Sequence, residues 1–516
     1  MRRCVYYGIA VGLLLVARVS FAVEIAAIAY HDVVLKSNAD PYAITLKEFE
    51  RQMDYLVREG YRPISLKMLD DARHGRGTLP PKPVLLTFDD GLKSYYENAF
   101  PVLKKHGFPS VVSIVTSWID GRTAPEEVYT KFMTWDQLRE LSRSSLVEVL
   151  SHTDDLHRTA PMNSWGARLW SAITRTYDAA SGTYEAEEAH LRRVSADLAR
   201  SAERIRAELG RAPIGVTWPY GKYDQVLINA AASLGMRYHL TLDSDPTQLA
   251  GLPRINRGIF RDYRALSDFE NALTYRGYRK HQMRFVEVEL APFAGKDRNQ
   301  QERLLTQLVN RLDLLHVDTV ILHPFTADGR RAFFHNGDVP VEVDILNQIN
   351  YQILARTEVQ QILLRLPGTK DAGSYRDLAR LNTFHGILLE GQPSPQDIER
   401  ARTSFGYYRP MIRVGVKSGE AAQAADFAVV ELAADASEGA LGKQAAAALK
   451  EHRRTLFLLR RTPKTSDSSL RSAMQALRST GAAHYGYGID DFENSIPSAL
   501  RIVKALTDHT VTAGDR

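Results

Sequence analysis

The chain has 516 residues, 44% of them hydrophobic and 25% charged, with 33 glycines and 22 prolines. These proportions exclude a disordered, collagen-like or disulfide-scaffold protein, and the length allows two or three domains at roughly 150 residues each. The formal charge of +5 comes from 66 basic and 61 acidic residues scattered along the chain, an excess too small and diffuse to imply a nucleic-acid partner.

Arg2 and Arg3 precede an apolar run from Val5 to Ala17, and Ser20-Phe21-Ala22 closes it with small residues at the −3 and −1 positions. A basic start, a short apolar run and a small-x-small end read as a secretory signal peptide over residues 1–22. The run is shorter than the roughly 20 residues a membrane span needs. Cys4 precedes the run and is badly placed for lipoprotein acylation. Removing residues 1–22 takes away Arg2, Arg3 and Arg18 and no acid, so the formal charge falls from +5 to +2 and no cysteine is left. An exported chain without disulfides depends on a large core, which this length can build.

From Val23 to about residue 278, short β-like runs alternate with helical patterns. Ile25–Tyr30, Val84–Phe88, Ser110–Val115, Leu146–Ser151, Ile214–Trp218 and Tyr238–Leu242 are the expected strands, each apolar enough for burial on both faces. Glu185–Leu209 is the clearest helix: Leu191, Val194, Leu198, Ile205 and Leu209 form a stripe, and the charges form a solvated face. This alternation predicts an α/β sheet or (β/α) barrel, whose active residues gather at the carboxyl ends of strands.

Arg276–His281 reads as a linker that divides the mature chain into domains 23–280 and 281–516. After it the pattern restarts. Phe285–Leu290, Thr319–Phe325, Gln361–Pro367, Gly386–Glu390, Phe427–Leu432, Thr455–Arg460 and His484–Ile489 are strand-like, with room for one helix between neighbours. Seven strands at this spacing predict a second, shortened (β/α) barrel-like domain, and the Ala- and Gly-rich region 417–443 looks like its trimmed surface.

Chemistry-bearing residues cluster at the predicted strand ends of the first domain. Leu85-Leu86-Thr87-Phe88-Asp89-Asp90-Gly91 is a buried strand ending in two carboxylates and a glycine. On a regular strand adjacent side chains face opposite ways, but a turn at Gly91 lets both reach one pocket. His152 and His157 follow the strand ending at Ser151; two imidazoles plus one carboxylate leave positions open for water and substrate, a catalytic rather than structural metal stoichiometry. Tyr30-His31-Asp32 and Thr217-Trp218-Pro219-Tyr220-Gly221 end two further strands. Each cluster alone reads equally as a polar turn, but four in one domain make coincidence a poor account.

Thr87-Phe88-Asp89-Asp90-Gly91 resembles the first signature of the polysaccharide deacetylase family of carbohydrate esterases, and His152…His157 resembles its second, with one more residue between the histidines than usual. That longer spacing, with Tyr30-His31-Asp32 and Trp218-Pro219-Tyr220-Gly221, is similar to the periplasmic branch acting on poly-β-1,6-N-acetyl-D-glucosamine in biofilm export, whose members also carry a second barrel. The resemblance implies a divalent metal, zinc ahead of nickel, cobalt or iron, on Asp90, His152 and His157. It implies Asp89 as general base and His31 as the acid, with His239 the rival. It implies Trp218, Pro219 and Tyr220 at the oxyanion and substrate, Tyr220 through its backbone N–H and the two aromatic rings as platforms for sugar faces. The arginine usual in the family's third signature is replaced by Thr217-Trp218, so no arginine partner for Asp89 is evident.

In such relatives the second barrel binds the partly deacetylated glycan and in some members cleaves it. Here Gly391 and Gln392 stand where an acid pair is usual, leaving Glu390 and Asp490-Asp491 as candidate acids. Glycoside cleavage generally needs two carboxylates, so a glycan-binding, degenerate hydrolase domain is expected. The expected partners are the N-acetylglucosamine polymer and an outer-membrane export porin. Two rival readings stand beside this one: a deacetylase of another N-acetylated glycan, such as chitin oligomers or peptidoglycan, and a non-catalytic glycan-binding export component.

Overall fold

Runs of Val, Ile, Leu and Ala bury both faces of the strands at the centre of the first domain. In the computed structural model, β1 (Glu24–Tyr30), β2 (Pro83–Phe88), β3 (Ser110–Ile114), β4 (Val147–Ser151), β5 (Gly215–Thr217), β6 (Tyr238–Thr241) and β7 (Arg254–Asn256) lie side by side in that order, each parallel to the next. The structure describes residues 23–488 apart from 39, 126–130, 244–245, 260–265, 275–281, 368–371, 410, 453 and 463–464, together with 492, 502–503 and 506. The expected leader 1–22, the linker Arg276–His281 and the pair Asp490-Asp491 lie outside the described residues. Among the described residues no helix is long and apolar enough to cross a membrane.

All six residues of β2 are buried, each large aliphatic contributing about 1.5–3 kcal/mol. β8 (Gly258–Ile259) follows β7 after a single residue, Arg257, and pairs in parallel with β1, so the sheet comes round almost onto its first strand. The carboxyl ends of β1, β2, β4 and β5 therefore face one mouth, and Arg257 stands at the seam. The helix Glu187–Leu209 packs across β4 and ends on Gly210 in the left-handed region (φ 73°), a conformation glycine adopts without strain. Its buried face is His190, Val194, Asp197, Leu198, Ser201, Ala202 and Ile205. The expected stripe is thus corrected at Leu191, which is exposed, and three polar groups point inward.

In the second domain β9 (Arg284–Val288), β10 (Thr319–Leu322), β11 (Gln361–Leu366), β12 (Gly386–Leu389), β13 (Arg413–Lys417), β14 (Phe427–Ala433), β15 (Thr455–Arg460) and β16 (His484–Gly488) close a parallel barrel. Seven of these strands match the expected ones, and β13 is the eighth. The shortening lies elsewhere: residues 418–426 cross from β13 to β14 with only the 3-10 turn Glu420–Ala424, where every other described crossover carries an α-helix. Phe285, Ile321, Leu363, Leu388, Val429 and Leu458 form an apolar layer inside the barrel. Side chains two apart on a strand share a face, so Glu287, His323, Arg365, Glu390, Glu431 and Arg460 form a charged layer above it at the carboxyl ends.

The domains meet through paired polar groups. The Asn163 amide donates to Asn347 at 3.0 Å and Gln348 at 3.1 Å, and the Tyr408 hydroxyl donates to Glu187 at 2.9 Å.

Candidate metal centre and active site

The turn after β2 brings the two adjacent carboxylates into one pocket by bending the backbone between them. Asp90 has φ 71° and Gly91 φ 74°. A Cβ on Gly91 would stand 3.0 Å from Ile114 and 3.1 Å from Ile119, so only glycine fits the bend. Thr153 (φ 73°) and Tyr220 (φ 56°) are also left-handed. Non-glycine residues held there cost of order 1–3 kcal/mol each and concentrate at functional sites. Here all three surround the same pocket.

The Asp90 Oδ1 atom is 3.4 Å from His152 Nε2 and 3.5 Å from His157 Nε2. Asp90 is fully buried, and neither of its carboxylate oxygens has a hydrogen-bond partner. Ligands about 2.0–2.2 Å from one tetrahedral zinc stand roughly 3.3–3.5 Å apart, so the spacing and the orphaned oxygens both fit a shared cation. His152 Nδ1 lies 2.7 Å from the Thr217 carbonyl, which fixes Nδ1 as the protonated nitrogen and turns the Nε2 lone pair toward Asp90. Burial would lower the His152 pKa, but Asp90 and Asp89 outweigh it and raise it; the charges that attract a proton there attract a cation. Burial drives His157 down to about 4 against the pull of Asp90, leaving a neutral imidazole near pH 7. Its ring is bracketed by Trp118 at 4.9 Å and Tyr220 at 4.5 Å.

Asp89 faces a different partner. Arg257 grips it in a two-toothed contact, Nη1 to Oδ1 at 2.8 Å and Nη2 to Oδ2 at 3.0 Å, and is itself held by Thr87 Oγ1 at 2.9 Å and the Thr241 carbonyl at 3.2 Å. This overturns the expectation that Asp89 has no arginine partner. Burial alone would raise the Asp89 carboxyl, but Arg257, with His152 and His31, outweighs it and holds the carboxyl below its ordinary range.

His31 follows β1, whose last residue Tyr30 accepts the Asp89 backbone N–H at 3.0 Å, and its charge acts on Asp89, Asp90 and His157. His239 stands apart: it is buried in β6, stacked on Trp218 at 5.8 Å, and the charge acting on it is that of Arg254. The structure therefore brings His31, Asp89, Asp90, His152, His157 and Tyr220 together. Trp218 is a correction, since it is 0% exposed and its ring is part of the core rather than a platform for sugar. Pro219 is buried beneath the turn, while Tyr220 reaches the pocket with its ring.

A family model described as polysaccharide deacetylase matches residues 76–239, and one described as hypothetical glycosyl hydrolase family 13 matches residues 287–367. The chain is 28% identical over 350 residues to the poly-β-1,6-N-acetyl-D-glucosamine N-deacetylase of Escherichia coli (strain K12), covering 64% of this chain and 51% of that protein. The chain belongs to the polysaccharide deacetylase family. It spans about half the length of the curated relatives it matches first. Among solved structures it is similar to a de-N-acetylase from Aggregatibacter actinomycetemcomitans, at 30% identity over 48% of this chain and 99% of that one with a TM-score of 0.45. It is also similar to the deacetylase domain of BpsB from Bordetella bronchiseptica, at 34% identity over 46% and 95% with a TM-score of 0.41.

For a deacetylase-family chain, Arg257 is the residue sequence reasoning missed. It lies 168 positions from Asp89, and only the closing of the sheet at β7–β8 makes them neighbours. Arg257→Lys is expected to lower kcat about tenfold or more, because an ammonium cannot reproduce the bidentate grip. The acid limb of kcat/KM should also move to higher pH. As a general base Asp89 would work ionised and activity would fall as pH drops through its pKa, which a weaker partner raises. A pH–rate profile with an unmoved acid limb would exclude this role.

In the second barrel Glu390 is partly exposed, and one of its carboxylate oxygens, Oε1, is held by an arginine. Arg365 reaches Glu390 at 2.7 Å, Glu287 at 2.7 Å and Glu431 at 2.5 Å, and Arg460 pairs with Glu287 and Glu431.

Proposed function

We propose that this chain hydrolyses the acetamido groups of poly-β-1,6-N-acetyl-D-glucosamine in the periplasm, as an exported, metal-dependent enzyme of a biofilm polymer's export route. The observation that carries the reading is one buried pocket holding Asp90, His152 and His157 at cation-sharing distances beside an Asp89 kept ionised by Arg257. The substrate is inferred from relatives that are poly-β-1,6-N-acetyl-D-glucosamine N-deacetylases.

Asp90, His152 and His157 would hold a divalent cation, zinc ahead of nickel, cobalt or iron. Bound there, it supplies a polarised acetyl carbonyl and a more acidic water. Asp89 accepts the proton of the attacking water at its carboxylate. The Tyr220 backbone N–H is the proposed donor to the acetyl oxygen as negative charge develops on it. His31 gives a proton to the amide nitrogen as its bond to the acetyl carbon breaks. One water is consumed, and acetate and a glucosamine amine are released.

The second barrel is proposed to bind the glycan without cleaving it. Cleavage asks one carboxyl to donate a proton and a second to act as base or nucleophile. Glu287, Glu390 and Glu431 are instead each paired with an arginine, which speaks against cleavage. An export porin is the proposed partner on the same family grounds.

Acetate release from poly-β-1,6-N-acetylglucosamine oligomers, with and without chelator, tests the activity, and a panel with chitin oligomers and peptidoglycan tests the substrate. Release that survives complete removal of metal would overturn the metal reading. His31→Ala should lose about 10²-fold or more in kcat while His239→Ala keeps activity. The reverse pattern would reassign the acid.

A further inference from the structure

The segment joining the two imidazoles is one residue longer than the family's usual spacing, and its backbone donors have an unusual receiver. The His152 N–H goes to the Ile114 carbonyl at 2.8 Å, and the Thr153 N–H to Ser151 Oγ at 3.0 Å. The next two go to one carboxylate on the helix Glu187–Leu209: Asp154 N–H to Asp197 Oδ1 and Asp155 N–H to Asp197 Oδ2, both at 2.9 Å. The Leu156 N–H then returns to Thr153 Oγ1 at 3.2 Å. One turn further along the helix, Ser201 Oγ meets Ser151 Oγ at 2.7 Å.

Asp197 is only 2% exposed and lies mid-helix, where a carboxylate has no capping role and burial opposes its charge. Asp197 also meets Arg200 at 3.3 Å, an exposed side chain that reaches Asp154 as well. Two consecutive N–H groups on the two oxygens of one carboxylate fix both the position and the tilt of the peptide between them, since each bond constrains a different edge. Two residues beyond that clamp stands His157. From these contacts we infer that Asp197 is a positioning residue of the metal centre: it does not touch the cation, but its carboxylate sets where the His157 imidazole stands and so how tightly the site holds metal. The inference rests on the metal reading of Asp90, His152 and His157.

The test is zinc affinity of the full chain by competition with a chromogenic chelator, together with the thermal midpoint in chelator. Asp197→Asn keeps size and one acceptor oxygen but sets an amide NH2 against the second N–H. It should bind zinc about 10- to 100-fold more weakly, the range for partners that orient metal ligands, with kcat falling and KM unchanged. Asp197→Glu, which keeps both oxygens but displaces them by a methylene, carries the same expectation if the Asn variant does not fold. A purely structural role would lower the midpoint with and without zinc and leave the affinity of the folded protein unchanged; that result overturns the inference. A wild type that binds no zinc would overturn the metal reading itself, and this inference with it.

Discussion

Asp89→Asn is expected to retain zinc and to release acetate about 10³-fold more slowly, within the 10²–10⁴-fold range of a lost general base. The carboxamide is nearly isosteric, so Asp90, His152 and His157 keep their places, while the group that accepts the water proton is gone. The change also breaks a buried pair. Arg257 is 1% exposed and bound to both Asp89 oxygens, and leaving its charge without a counterion should cost about 3–5 kcal/mol of stability. The rate must therefore be compared on folded, zinc-loaded protein, with occupancy measured by elemental analysis. A folded, zinc-loaded Asp89→Asn that turns over at the wild-type rate would remove Asp89 as the base.

Asp90→Ala and His152→Ala should lose both zinc and acetate release. Among the described residues only one cluster of His, Asp and Glu brings three ligand atoms within 4.8 Å of one another, and it is Asp90, His152 and His157. Removing one leaves two, too few for a divalent site that also keeps water. Calorimetry separates ligand from scaffold. Zinc at a hundred times its dissociation constant stabilises a folded protein by about 2.7 kcal/mol, so it should raise the wild-type midpoint and leave that of Asp90→Ala unmoved. A zinc-dependent rise in Asp90→Ala would exclude Asp90 as a ligand.

Most strands of both barrels were legible because buried parallel strands are written as short apolar runs between glycine and proline. β7 and β8 in the first barrel and Arg413–Lys417 in the second were missed, and Arg413–Lys417 shows why a run can fail. Gly415 interrupts it, and glycine weakens a strand reading. In the fold that glycine is required, since a Cβ there would lie 2.0 Å from the Phe427 ring on the neighbouring strand. Trp218 shows the complementary limit. An aromatic residue at a strand end can face the mouth or the core, and the sequence does not say which. Its stacking on His239 decides for the core.

By itself, the sequence determined the chemistry that travels in contiguous segments. Asp89-Asp90-Gly91 and His152…His157 declare a carboxylate-imidazole site because each segment carries its own turn and strand, and a strand end delivers its residues to a predictable rim. The tertiary structure decided everything that depends on closure. Arg257 meets Asp89 only where β7 and β8 bring the sheet round, and Asp197 meets the histidine segment only because a helix packs across β4. The charges of Glu287, Arg365, Glu431 and Arg460 cancel only inside a closed barrel. Such contacts join residues tens to hundreds of positions apart, and no local periodicity encodes which of many buried polar groups will become neighbours once the core forms.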